Sequence, residues 1–432
     1  MKSPHSIRTL PKNVNYKSGD YLVIFGEVFE RGYVNGLIDE AKKCGMKVIY
    51  STVGRRDENQ KLRPLTAEEL SQKNQSPIIN VPLEAGFDLE PDADGVRPVD
   101  QLKEFGLTGW ESAQLNWDSI HQSRQSGVNR FQEMTKKFFV ELESMIDPKK
   151  NVLIAHTMAG GFPRAKVVMP IANRVFKGTG ARYMSSQVFW ESEIGKLCDL
   201  SFKEVTAETF KSLVEFSSPL RTQIEKSGGQ VSYLAFGYHG NEVLVGENYE
   251  WYSYSPYLQG FAKLQLEELS KTYFKKGIRT CVFNVPEILT NSSSIFLGVE
   301  VVLYPLLRAL RKEGASSTAV KAIESQCQSL LADGYTLSDI DRITQEYLTN
   351  ESVRSWPKLE NWPQHNGPEQ MEYMRNASTQ LIEMHRDQKN LMTAPLSEVV
   401  FRACGKVMFS EIWAPKEPVT WLGHDIVAKA SI

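Results

Sequence analysis

The stretch from Asp20 to Tyr50 restricts the fold more than any other part of the chain. Tyr21-Leu-Val-Ile-Phe25 is an unbroken apolar run that stops at Gly26. A helical segment carrying Gly32 and Gly36 follows, and Met46-Lys-Val-Ile-Tyr50 resumes the apolar pattern after Gly45. Strands covered on both faces read as continuous apolar runs, and parallel strands need a crossover between them, so this is a βαβ unit. Its length, about thirty residues, is that of a nucleotide-binding opening. The glycines at 26, 32 and 36 let the backbone approach a pyrophosphate, whose charge the helix N-terminus stabilises. A plain strand-to-helix turn fits the same residues.

Where the second strand ends, a site for NAD usually presents a carboxylate to the ribose 2′-hydroxyl. This chain has Gly54-Arg55-Arg56 instead, followed by Asp57 and Glu58. Two guanidinium groups suit a 2′-phosphate, which leans the expected cofactor towards NADP, and the acids keep NAD open.

Further apolar runs at Ser76–Val81, Asn151–Ala155, Val231–Phe236 and Arg279–Val285 predict more strands of the same sheet, and apolar spacing over Gly127–Met145 predicts a helix between them. The expected fold class is α/β: a Rossmann-type, doubly wound parallel sheet flanked by helices. The small residues after the fourth run, from Ala155 to Gly160, suit close approach of a nicotinamide ribose. The hydroxyls of Thr290 and the serines after it are expected to reach the cofactor, although helix capping would use them equally well.

Tyr238-His-Gly-Asn-Glu242 leaves one of these strands, and Tyr254-Ser-Pro-Tyr257 precedes apolar residues at 258, 262, 266, 269 and 273, which is helical spacing. That helix carries Lys263. A phenol beside an ammonium can stabilise an enolate, because the cation favours negative charge on the phenol and the phenol donates a hydrogen bond or proton. Packing of an aromatic cluster at a helix entrance accounts for the same residues. Tyr238, Tyr254, Tyr257 and Lys263 are the candidate catalytic residues.

The order of these pieces resembles the short-chain dehydrogenase/reductase superfamily, and within it the trans-2-enoyl-CoA reductase family, which includes the FabV-type enoyl-ACP reductases. The resemblance rests on Tyr254 and Lys263 at Tyr-x8-Lys spacing, on Tyr238-x-Gly-x-Glu242, on Thr290-Asn-Ser-Ser-Ser294, and on the segment from Val302 to Gly314. It implies NAD(P)H-dependent reduction of the trans-2 double bond of an enoyl thioester, carried on CoA or acyl carrier protein, in fatty acid biosynthesis. Hydride would go to the β-carbon, Tyr254 would stabilise the enolate, Lys263 would hold the nicotinamide ribose, and Tyr238 would be a second donor. Tyr257 competes with Tyr254 for the first role. A carbonyl reductase of the same superfamily and a non-catalytic NAD(P)-binding sensor are the alternatives.

Composition agrees with a small-molecule site. With 50 basic and 52 acidic residues and a net charge of −2, the chain gives no electrostatic reason to bind nucleic acid or an anionic membrane. Its five cysteines are widely spaced, without a CxxC pair, and the first residues lack a signal-peptide pattern; both fit a cytoplasmic protein. The run from Ile295 to Leu310 holds Glu300 and Pro305 and reads as a core helix, not a membrane span. Residues 15–334 are expected to form the nucleotide-binding and catalytic core. Residues 335–432, rich in helix and in Trp-Pro loops, are expected to pack on it and cover the acyl site.

Overall fold

Every residue of the first strand, Tyr21–Phe25 (β1), is buried because each face carries a layer. Leu22 and Ile24 point into one apolar core, and Tyr21, Val23 and Phe25 into the other. This two-residue alternation places helices on both sides of the sheet. In this computed structural model, residues 5–11, 15–252, 259–290, 293–355 and 365–432 are described.

The other main strands are Lys47–Thr52 (β2), Ile78–Pro82 (β3), Val152–His156 (β4), Val231–Gly237 (β5), Arg279–Asn284 (β6) and Val419–Trp421 (β7). All pairings are parallel, and the spatial order is β7-β6-β5-β4-β1-β2-β3. The chain order therefore reverses between β1 and β4, which pair directly, with Val23 opposite Ile154. In an open parallel sheet such a reversal leaves a crevice beyond the carboxyl ends of the strands.

The first helix, Val34–Lys43 (α1), packs against Thr393–Glu411, one of the last helices of the chain. They meet backbone to backbone: a Cβ on Gly36 would lie 1.9 Å from the carbonyl oxygen of Phe401, and one on Gly405 would lie 2.2 Å from the carbonyl carbon of Gly36. On the other face, Trp117–Met145 (α2) supplies Phe131, Phe138 and Leu142 to the second core, and Gln259–Lys275 (α3) supplies Leu266 and Tyr273. The helix α2 starts ten residues before the apolar spacing at Gly127 becomes regular, at Asn116, whose side chain accepts from the Ser119 N–H.

Three features differ from expectation. An antiparallel hairpin, Asn241–Val245 with Asn248–Tyr252, stands between Tyr238 and α3. The run from Ile295 to Leu310 breaks at Pro305 into Val299–Leu303 and Leu306–Gly314, since proline lacks the N–H that would continue the first helix. The aromatic tail is the edge strand β7, with Asn284 opposite Trp421 and the Trp421 N–H bonded to the His5 carbonyl, so residues beyond 335 complete the sheet as well as packing on it. Among the described residues no helix is long and apolar enough to cross a membrane.

Candidate active site

The crevice beyond β1 and β4 continues into two adjoining hollows. Counting their open mouths, the larger spans about 970 Å³ on the side of β5 and β6, and the other about 750 Å³ on the side of β2 and β3. Glu27, Phe29, Thr157 and Ala159 line both. Gly26 makes the turn at their meeting point. Its φ is +125°, and a Cβ there would lie 2.4 Å from the Thr157 hydroxyl oxygen, so the chain can leave β1 across the end of β4 only as glycine. The Ser51 hydroxyl accepts from the Gly26 N–H at 2.9 Å and donates to its carbonyl at 2.8 Å.

In the larger hollow, Gly32, Tyr33 and Val34 at the start of α1 face Phe236, Tyr238, Lys263, Glu287, Thr290 and Phe296. The Tyr33 hydroxyl donates to the Pro286 carbonyl at 2.6 Å and its ring stacks on Phe236, which ties the glycine turn to the loop after β6. Lys263 comes from the first turns of α3 and its Nζ donates to the Phe236 carbonyl at 2.6 Å. Burial pushes its pKa down to about 8, against the opposing effect of Glu267. Glu267 also accepts from Asn284 at 2.9 Å and lies 3.1 Å from His239 Nδ1, and the Asn284 side chain accepts from the His239 N–H. This buried network locks the ends of β5 and β6 to α3, and so fixes Tyr238 relative to Lys263.

The Tyr238 hydroxyl donates to the Glu287 carboxyl, and its ring stacks on Phe296, which in turn meets Phe176 edge-on. Burial drives the Glu287 pKa up to about 8; the bond from Tyr238 opposes this, and the nearby Glu300 adds to it. Glu287 thus keeps its proton at neutral pH. Thr290 and Ser293 fold on one another, their hydroxyls 3.0 Å apart and the Thr290 N–H bonded to Ser293 Oγ at 2.7 Å.

In the smaller hollow the ionic groups are already matched. Glu27 is buried and accepts from Arg55 at 3.0 and 3.2 Å and from Lys73. Burial opposes its ionisation, but the two cations outweigh this and hold its pKa below the ordinary value. Arg56 is only 9% exposed and is held by Glu84 at 2.8 Å and Glu90 at 2.7 Å. Arg164 bridges Glu84 and Asp88.

The expected residues separate accordingly. Gly32, Tyr238, Lys263 and Thr290 line the crevice, and Gly26 makes the turn against Thr157 and Met158 beside it. Gly36 does not: it serves the contact between α1 and the helix ending at Glu411. Ala155 lies inside β4, between Ile24 and Leu234, and is buried there; the residues that reach the hollows are Thr157, Met158 and Ala159. Gly160 has a φ of +105° and open space where a Cβ would stand, while its neighbour Gly161 lines the smaller hollow. Arg55 and Arg56 do not stand free to meet a phosphate, because Arg55 is paired with the buried Glu27 and Arg56 with the half-buried Glu84 and Glu90. Tyr254 and Tyr257 lie outside the described residues. Glu27, Tyr33, Thr157, Glu287 and Phe296 were not singled out from sequence. Only Glu287 left a trace there, as an acid directly following a buried strand and its proline.

Comparison with known proteins now adds to this geometry. The family model of the enoyl-acyl carrier protein reductase FabMG matches residues 3–431. An apo structure of FabMG, described as a novel type of enoyl-acyl carrier protein reductase, is 44% identical with a TM-score of 0.96, over 100% of this chain and 98% of that one. An NADH-bound FabMG structure is 36% identical with a TM-score of 0.80, over 100% of this chain and 99% of that one. No curated protein sequence matches. The chain therefore belongs to the FabMG family of enoyl-acyl carrier protein reductases, and is an oxidoreductase acting on enoyl thioesters.

Proposed function

We propose that the chain reduces the trans-2 double bond of an enoyl group carried on acyl carrier protein, using NADH bound across the two hollows, in the cytoplasm. The observation that carries the reading is the convergence of Lys263, Tyr238 and Thr290 on the crevice where the strand order reverses. The NADH-bound relative supports the choice of cofactor. So does the pairing of Arg55 and Arg56, since a 2′-phosphate would have to displace Glu27 or Glu84 from its partners.

The residues present fit a dinucleotide. Gly26 turns the chain out of β1, Gly32 leaves open space just before α1 for a pyrophosphate, Glu84 and Ala85 border the adenosine side, and Lys263, Thr290 and Ser293 border the nicotinamide side. Bound there, the nicotinamide supplies a hydride to the β-carbon of the substrate. The protein's own task is to stabilise the enolate that results. A preorganised donor at the enolate oxygen is worth on the order of 3 kcal/mol. Tyr238 is one such donor, and Tyr254 and Tyr257 are the candidates for another. Lys263 holds the ribose and biases the field. Phe296, backed edge-on by the buried Phe176, offers an apolar wall to the acyl chain. The segment 365–383 closes behind this wall, with the Asn366 amide bonded to the Val175 carbonyl at 2.6 Å, in keeping with a covering role for part of the C-terminal region.

The test is oxidation of NADH and of NADPH with trans-2-enoyl thioesters on acyl carrier protein and on CoA. Turnover with NADH and enoyl thioesters, but not with ketones, is expected. Turnover with ketones alone would make the chain a carbonyl reductase, and tight NADH binding without turnover would make it a sensor.

A further inference from the structure

Reduction of an enoyl thioester consumes a proton for each hydride, and the crevice wall holds a buried proton that the proposed mechanism leaves unused. Glu287 sits at the end of β6, in the lining of the larger hollow, bonded to the Tyr238 hydroxyl. Behind it, on Val299–Leu303, the half-buried Glu300 is held by the Ser378 hydroxyl at 3.1 Å and acts on Glu287 as a like charge. The other titratable groups near Glu287 are Tyr33, whose hydroxyl bonds the adjacent Pro286 carbonyl, and Tyr252 of the hairpin, while Lys263, Arg31 and Glu27 share the lining of the same hollow. No cation bonds the Glu287 carboxyl among the described residues, and the bonds from the Tyr238 hydroxyl and the Ile288 N–H only partly offset the cost of burying its charge.

We propose that Glu287 is the proton reservoir behind Tyr238: the Tyr238 hydroxyl turns its proton to the enolate, and the protonated Glu287 becomes the donor in the contact between them and restores it. The inference rests on the function proposed above. The atoms balance: NADH loses a hydride to the β-carbon, the enolate gains the Tyr238 proton, and the Glu287 O–H bond breaks as a new O–H bond forms on Tyr238. Glu287 is left as a carboxylate, which takes a proton from solvent before the next turnover. Glu287 acts through Tyr238 and is a positioning residue.

Two measurements on the full chain decide the matter. The first is the infrared C=O stretch of protonated carboxyl groups, followed through a pH titration without cofactor. A band that persists through neutral pH, disappears near pH 8 and is missing from Glu287→Gln is expected. The second is the pH profile of turnover. Glu287→Gln keeps the shape and a hydrogen bond to Tyr238, and should lower kcat by about 100-fold, leave the KM for NADH within about two-fold, and change the alkaline limb, with partial rescue by Glu287→Asp. No such band in the wild-type protein, or a Glu287→Gln variant with wild-type kcat and profile, overturns the reservoir role alone. Absence of wild-type turnover with enoyl thioesters overturns the reading it rests on as well.

Discussion

The ammonium of Lys263 donates to the carbonyl oxygen of Phe236 at 2.6 Å, which places this buried lysine of the crevice lining against the end of β5. That contact joins helix to sheet at the point where Tyr238 leaves it. Lys263→Met keeps most of the volume and removes the charge. Kinetics should show turnover reduced by about 100-fold or more and weaker NADH binding, while the melting temperature holds, because a desolvated charge is replaced by an apolar group. A variant with unchanged NADH affinity would remove Lys263 from the ribose.

Cofactor choice follows from which arginines are occupied. Arg55→Ala should weaken NADH and NADPH by similar factors, since Arg55 serves Glu27 and not a phosphate. Glu27→Gln should favour NADPH relative to NADH by releasing Arg55 and Lys73. Fluorescence titration of both cofactors checks the pair of outcomes, and a selective loss of NADPH binding in Arg55→Ala would contradict them.

The glycine at 36 is a packing residue. Gly36→Ala has to push apart two helices whose backbones touch, and denaturant unfolding should show a loss of about 1–3 kcal/mol. A loss of NADH affinity with unchanged stability would return Gly36 to the cofactor.

The buried acid and the buried base leave opposite marks on stability. Glu287 titrates at about 8 in the folded chain against an ordinary 4.5, so the folded state binds more protons between these values and stability falls as pH rises through them. Lys263 titrates at about 8 against 10.5, so the unfolded state binds more protons there and stability rises with pH through that window. Thermal unfolding across pH should show Glu287→Gln flattening the first limb and Lys263→Met the second. Both limbs unchanged in both variants would contradict the assigned shifts.

The sheet was legible because strands buried on both faces write long apolar runs, and six of the seven are such runs. The seventh, Val419–Trp421, is three residues at a sheet edge among irregular aromatics and has no period to read. Gly26 and Gly36 look alike in sequence, yet one bends the chain at the switch point and the other seats the helix Thr393–Glu411 from near the far end of the chain. Arg56 followed the same logic: a free guanidinium and one held by Glu84 and Glu90 differ only in tertiary contacts. Lys263 and Tyr238 could be singled out because their chemistry is unusual beside a nucleotide-binding sheet, and both line the larger hollow. Glu287 was missed because one acid after a strand is ordinary until its burial is known.

The choice between Tyr254 and Tyr257 is made by exchanging each for phenylalanine. The spacing to Lys263 assigns the larger loss of turnover, about 100-fold or more, to Tyr254, with NADH binding retained in both variants. A larger loss in Tyr257→Phe would shift the assignment by three residues.

The central claim is hydride transfer from NADH to the β-carbon of an enoyl thioester in this crevice. It is tested most directly by running the reaction with NADH deuterated at the transferable position and locating the label by mass spectrometry and NMR. The account predicts one deuterium on the β-carbon of the saturated acyl product, with the α-hydrogen drawn from solvent. Product without deuterium, or label on a carbonyl carbon, would contradict it.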